Sequence, residues 1–193
     1  MRFSILAFVG LLCSLPSSAD QPEFPYAYVA SSPGGRFYFR MVPTVEGSVD
    51  RSDGFGIAYR VGNDESDEIL WRTEGWYSFE VFLSFDGRCL VAMGPWNGGS
   101  RPSNDHLALA FYRDGKLLRE YSTADLVEDG SKVTTSASHY TWLARDAWVP
   151  PSDPDPNHEP RFVRPVIFEL TTVDGIVYRF DATSGAIVEK KKP

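Results

Sequence analysis

Trp76-Tyr77-Ser78-Phe79-Glu80-Val81-Phe82-Leu83-Ser84-Phe85-Asp86-Gly87-Arg88-Cys89-Leu90-Val91-Ala92-Met93 decides the fold class. From Trp76 to Phe85, Tyr77, Phe79, Val81, Leu83 and Phe85 fall on one face, while the remainder, including Ser78, Glu80 and Ser84, fall on the other. That period of two is the pattern of a half-buried strand. Asp86-Gly87 suits the two positive φ angles of a type I′ turn, and Arg88–Met93 supplies a returning apolar strand.

The same pattern recurs around this hairpin. Leu107–Tyr112, Asp114-Gly115 and Lys116–Tyr121 form a second copy, and Val166–Thr172, Asp174-Gly175 and Ile176–Asp181 a third. Pro33-Gly34-Gly35 before Arg36–Val42 is a weaker copy, and Thr183-Ser184-Gly185 connects to a last strand at Ala186–Glu189. Strands are also expected at Gly54–Val61 and Glu68–Trp71. The expected fold is all-β, an antiparallel hairpin meander that is propeller-like or a β-sandwich, with a small closed barrel as the alternative. One short helix is expected at Ala124–Glu128, capped by Ser122 or Thr123 with Asp125 near its positive end.

The chain begins with Met1-Arg2 and an apolar run from Phe3 to Leu15, broken by Pro16 and followed by Ser17-Ser18-Ala19. This reads as a signal peptide over residues 1–19, cleaved after Ala19, and the run is too short for a membrane span. The protein is therefore expected to be exported, periplasmic or secreted, with no membrane span in the mature chain. Cleavage removes Cys13 and Arg2 but no acid, so Cys89 is left as the single thiol and the formal charge moves from −7 to −8. An acidic chain has the wrong sign for neutralising phosphates, so no nucleic acid is expected as a partner. Residues 20–193 read as a single all-β domain with a proline-rich loop at 149–165, since only some thirty residues follow that loop, too few for a second core.

Leu83–Val91 and Asp174–Val188 resemble blades of exported β-propeller proteins, and the second is similar to the strand–turn–strand of pyrroloquinoline-quinone-type repeats. The resemblance implies an architecture of blades with ligands held on connecting loops, and it implies no activity. Turn glycines Gly35, Gly87, Gly115 and Gly175 stand 52, 28 and 60 residues apart, which does not match a regular blade array.

Five tryptophans are the most unusual feature of the composition. Trp71 and Trp76 read as core and rim. Trp96 and Asn97 lie in Gly94-Pro95-Trp96-Asn97-Gly98-Gly99-Ser100, too glycine-rich for a strand, and Ser138-His139-Tyr140-Thr141-Trp142 brings an imidazole, a phenol and an indole together. Aromatic rings in loops can stack on a sugar or a peptide side chain, so Trp96, Asn97, His139, Tyr140 and Trp142 are the candidate ligand-binding residues.

No catalytic residue, metal ligand or cofactor is assigned. His106, His139 and His158 lack metal-ligand spacing, and Asp153–Asn157 opens like a calcium loop but has His158 and Arg164 where glycine and a closing carboxylate belong. Glu74, Glu80 and Asp86 are carboxylates available to a glycosidase, and Cys89 reads as a buried small hydrophobe. No nucleophile elbow, phosphate loop or dinucleotide fingerprint is present. The leading expectation is a non-catalytic binding or interaction domain for an unidentified small molecule, glycan, peptide or protein. A glycan-acting or other hydrolase and a structural accessory subunit of an envelope complex are the alternatives.

Overall fold

Cys89–Met93 is apolar at all five positions and buried at all five, so both faces of this strand are covered. What covers it follows from the pairing. The computed structural model describes residues 24–44, 53–96, 98–136, 138–146 and 159–193. Strands β1 (Tyr28–Ser31), β2 (Phe37–Pro43), β3 (Gly54–Arg60) and β4 (Glu68–Glu74) form one antiparallel sheet in chain order. Strands β5 (Val81–Leu83), β6 (Cys89–Met93), β7 (Leu107–Arg113) and β8 (Lys116–Ser122) form a second. After the small β9 (Thr134–Thr135) and β10 (Tyr140–Thr141) pair, strands β11 (Arg161–Arg164), β12 (Ile167–Thr171), β13 (Val177–Asp181) and β14 (Ala186–Lys191) form the third large sheet.

The second sheet is the middle layer. Its Leu83, Leu90, Ala92, Ala110 and Tyr112 pack with Phe39, Met41, Ala58 and Trp71 of the first sheet. The alternate residues Cys89, Val91, Leu109 and Phe111 pack with Phe162, Phe168, Leu170, Tyr178 and Phe180 of the third. Alternation along β6 and β7 thus feeds two separate cores. The outer face of the third sheet carries a ladder of one charged residue per strand, in which Glu169 pairs with Arg161 and Arg179, and Arg179 pairs with Glu189.

The expected all-β meander with one short helix is therefore present. Among the described residues no sheet closes on itself, so the barrel alternative is not formed. The helix, α1 (Thr123–Leu126), is capped by Ser122, whose side chain accepts from Asp125 N–H while the Asp125 carboxylate accepts from Ser122 N–H.

Three expectations are corrected. First, β5 is confined to Val81–Leu83. Upstream of it, Ser78 Oγ lies 2.7 Å from the carbonyl oxygens of both Glu80 and Met93, and the Tyr77 hydroxyl donates to Tyr26 O, so beyond the Met93 N–H to Glu80 O bond side chains stand in for a regular ladder. Second, the turn at Asp86-Gly87 is not type I′, because only Gly87 has a positive φ, at 73°. Gly87 N–H donates to Ser84 O, and Ser84 Oγ accepts from Cys89 N–H while donating to Asp86 Oδ1, closing a four-residue loop. The type I′ geometry occurs instead at Asp114 and Gly115, with φ of 48° and 80°. Third, Arg161–Arg164, inside the stretch expected as proline-rich loop, is a strand. It lies at the edge of its sheet and turns into β12 through Pro165-Val166. The signal segment 1–19, and residues 149–158 of that loop, lie outside the described residues.

Candidate functional site

Beyond Met93, the last residue of β6, the chain enters Gly94-Pro95-Trp96 and leaves the sheet. A backbone bridge between Gly98 and His139 brings this loop against the segment that follows β9. That segment is fixed in turn. Ser136 N–H donates to His139 O at 2.8 Å, and Val173 N–H, in the turn after β12, donates to Trp142 O at 2.9 Å. The two loops expected from composition to be sites consequently meet, and between them opens a cleft of about 660 Å³.

Trp96, His139, Tyr140 and Trp142 all line this cleft, together with Phe79, Glu80, Met93, Pro95, Arg145 and Asp146. They are not equivalent. Trp96 is 47% exposed and its ring lies over the His139 imidazole, with centroids 3.8 Å apart and planes tilted by 33°. This pair is an accessible aromatic platform. Tyr140 and Trp142, at 2% and 8% exposure, belong to the core between the middle and third sheets and form the cleft wall. The Tyr140 hydroxyl is shared with His106 Nδ1 at 2.9 Å and Thr123 Oγ1 at 2.6 Å, and burial raises its pKa. Asn97 lies outside the described residues.

Several other candidates have structural partners. His139 Nδ1 lies 2.7 Å from Ser136 Oγ. The Asp86 carboxylate accepts from Ser84 Oγ and Arg88 N–H within its own turn. Cys89 is buried between the middle and third sheets, and burial pushes its thiol pKa up to about 11. Trp71 is buried and donates its indole N–H to Gly87 O, and Trp76 stacks on Tyr112 with centroids 4.7 Å apart. Among the described residues, no three His, Cys, Asp or Glu side chains are grouped to hold a metal. The calcium-like stretch 153–158 lies outside those residues. No helix among them is long and apolar enough to cross a membrane.

Sequence reasoning named Glu80 as a candidate carboxylate but missed the rest of the charged half of the cleft. Arg145, in a 3₁₀ turn at Ala144–Asp146, donates through both terminal nitrogens to the Glu80 carboxylate. It also reaches Glu159 at 3.1 Å, and its Nε is 3.3 Å from the Asp146 carboxylate. Burial opposes the guanidinium charge, but hydrogen bonding and attraction from Glu80, supported by Asp146 and Glu159, outweigh it and raise the Arg145 pKa. Sixty-five residues separate Arg145 from Glu80, so no local pattern could announce the pair.

No protein-family model matches the chain, and no curated protein matches it either.

Proposed function

We propose that this chain is an exported, non-catalytic binding domain whose ligand enters the cleft between the Trp96 loop and the His139–Trp142 segment. The observation that carries this reading is Trp96, half exposed at the cleft with its ring tilted over His139. A soluble domain normally folds an indole inward, since burying a large ring returns ~25 cal/mol per Å² of apolar area. Here the platform stays accessible, while Tyr140 and Trp142 hold the wall behind it rigid. A planar, partly wet aromatic surface over a preformed concavity suits a ligand that presents a flat apolar face or an aliphatic stem.

The test is binding of the mature protein to arrays of glycans and peptides, repeated with Trp96→Ala. Because Trp96 is not part of either buried core, its replacement is expected to leave the melting temperature nearly unchanged and to weaken ligand capture by about tenfold. Equal capture by the parent and Trp96→Ala would remove the assignment of this surface. Turnover of a glycan or ester substrate by the purified domain would instead favour the hydrolase alternative.

A further inference from the structure

The cleft presents charge as well as aromatic surface, and the charge is unevenly placed. The Arg145 side chain is 19% exposed, whereas those of Glu80, Asp146 and Glu159 are 33%, 47% and 48% exposed. One recessed cation is thus surrounded by three more accessible carboxylates, of which Glu80 and Asp146 line the cleft and Glu159 stands outside its lining, a formal excess of two negative charges around Arg145. Glu80 takes both terminal nitrogens of the guanidinium, Glu159 shares one of them, and Asp146 keeps only a 3.3 Å approach to Nε. Desolvation, with Glu80 and Glu159 as like-charged neighbours, raises the Asp146 pKa even though Arg145 opposes the shift. Among the described residues, the attraction of Arg145 does not offset the burial of the Asp146 carboxylate and its two like-charged neighbours.

Trp96 adds to the same preference, because the face of an indole carries the negative lobe of its quadrupole. An anion entering the cleft meets repulsion from the carboxylates and from the ring face. A neutral sugar is indifferent to the charge. A group that is positive at one end and apolar along its stem gains from both. Its head lies near the carboxylates and its methylenes lie on the ring, in the way long basic side chains bury their stems. Resting on the reading of the cleft as a binding site, we propose that its ligand is an organic cation: an ammonium or guanidinium group on an aliphatic stem, taken between the Trp96 platform and the carboxylates around Arg145.

The experiment titrates the mature protein, by tryptophan fluorescence and calorimetry, with Nα-acetyl-lysine amide, putrescine, the neutral Nα,Nε-diacetylated lysine amide, cellobiose and glucuronate. Both cations are expected to bind, and more weakly when salt rises from about 0.05 to about 0.5 M, since exposed charges are screened over a few ångströms there. Preference for lysine amide assigns a peptide side chain as the source, and preference for putrescine a free amine. Asp146→Asn and, separately, Glu159→Gln are expected to weaken the cations about two- to fivefold, each checked for an unchanged melting curve. If cellobiose or the diacetylated lysine amide binds as tightly as the cations and depends on Trp96, the cation preference is overturned and the binding site stands. If none of the five binds, or if Trp96→Ala binds them as the parent does, the cation preference and the site fall together.

Discussion

Gly87 shows how much of this fold rests on single positions. Its φ of 73° lies in the left-handed region, its carbonyl accepts the Trp71 indole N–H, and a Cβ placed on it would come within 2.7 Å of the Phe37 ring and 3.0 Å of Leu70. Gly87→Val adds backbone strain to a clash between the first two sheets, so it is expected to destabilise the protein by more than ~1 kcal/mol. Chemical denaturation followed by circular dichroism measures this, and an unchanged midpoint would contradict it. The residue scale also shows which cleft-lining residues a sequence reading can single out. Trp96 was identifiable because its neighbours are glycine and proline, which exclude a strand. Tyr140 and Trp142 were identifiable as cleft residues but not as core, because their burial depends on Phe162, Tyr178 and other residues of a sheet formed later in the chain. Arg145 carried no local signal, and only the fold brings it to Glu80.

Elements were legible wherever the side chains alternate and a glycine turn closes the hairpin. The paired strands β7 and β8 match the expected spans to within one residue, as do β13 and β14 at their paired ends. The failures have physical causes. Strand β1 is only four residues long, and its core-facing row is just Tyr28 and Ala30, both only partly buried. Strand β11 is preceded by prolines, and an edge position tolerates such a neighbour because one side of the strand needs no ladder. The α-helix among the described residues is four residues long, far below what propensity alone can stabilise, so its capping box and its buried Leu126 must hold it. Ser122→Ala removes the acceptor for Asp125 N–H and is expected to cost about 1 kcal/mol, with Ser122→Thr retaining most of the stability. Thermal unfolding of the two variants checks this, and equal losses from both would show that the hydroxyl does not cap.

At the scale of the whole molecule, the middle sheet is shared by two cores that otherwise have no residue in common. The continuous apolar run of β6 hinted at a strand buried on both sides, but nothing local could say which sheets would cover it. Because β6 and β7 contribute to both cores, loosening either core exposes one face of the same strands. Phe39→Ala in the first core and Phe180→Ala in the second are each expected to destabilise by about 3–5 kcal/mol and to lower the midpoint of one common transition. Two separate calorimetric transitions, one shifted by each substitution, would show instead that the layers melt independently.

The order of the layers follows the order of the chain, and this bears on biosynthesis. A ribosome delivers the first sheet, then the middle one, and only afterwards Arg161–Lys191. Until those strands arrive, the row formed by Val91, Leu109 and Phe111 lacks the cover that Phe162, Phe168, Leu170, Tyr178 and Phe180 supply. The growing polypeptide thus carries a sticky flank whose shield follows it in the chain, so for this flank the interval before that shield arrives is the period of greatest risk of association with other chains.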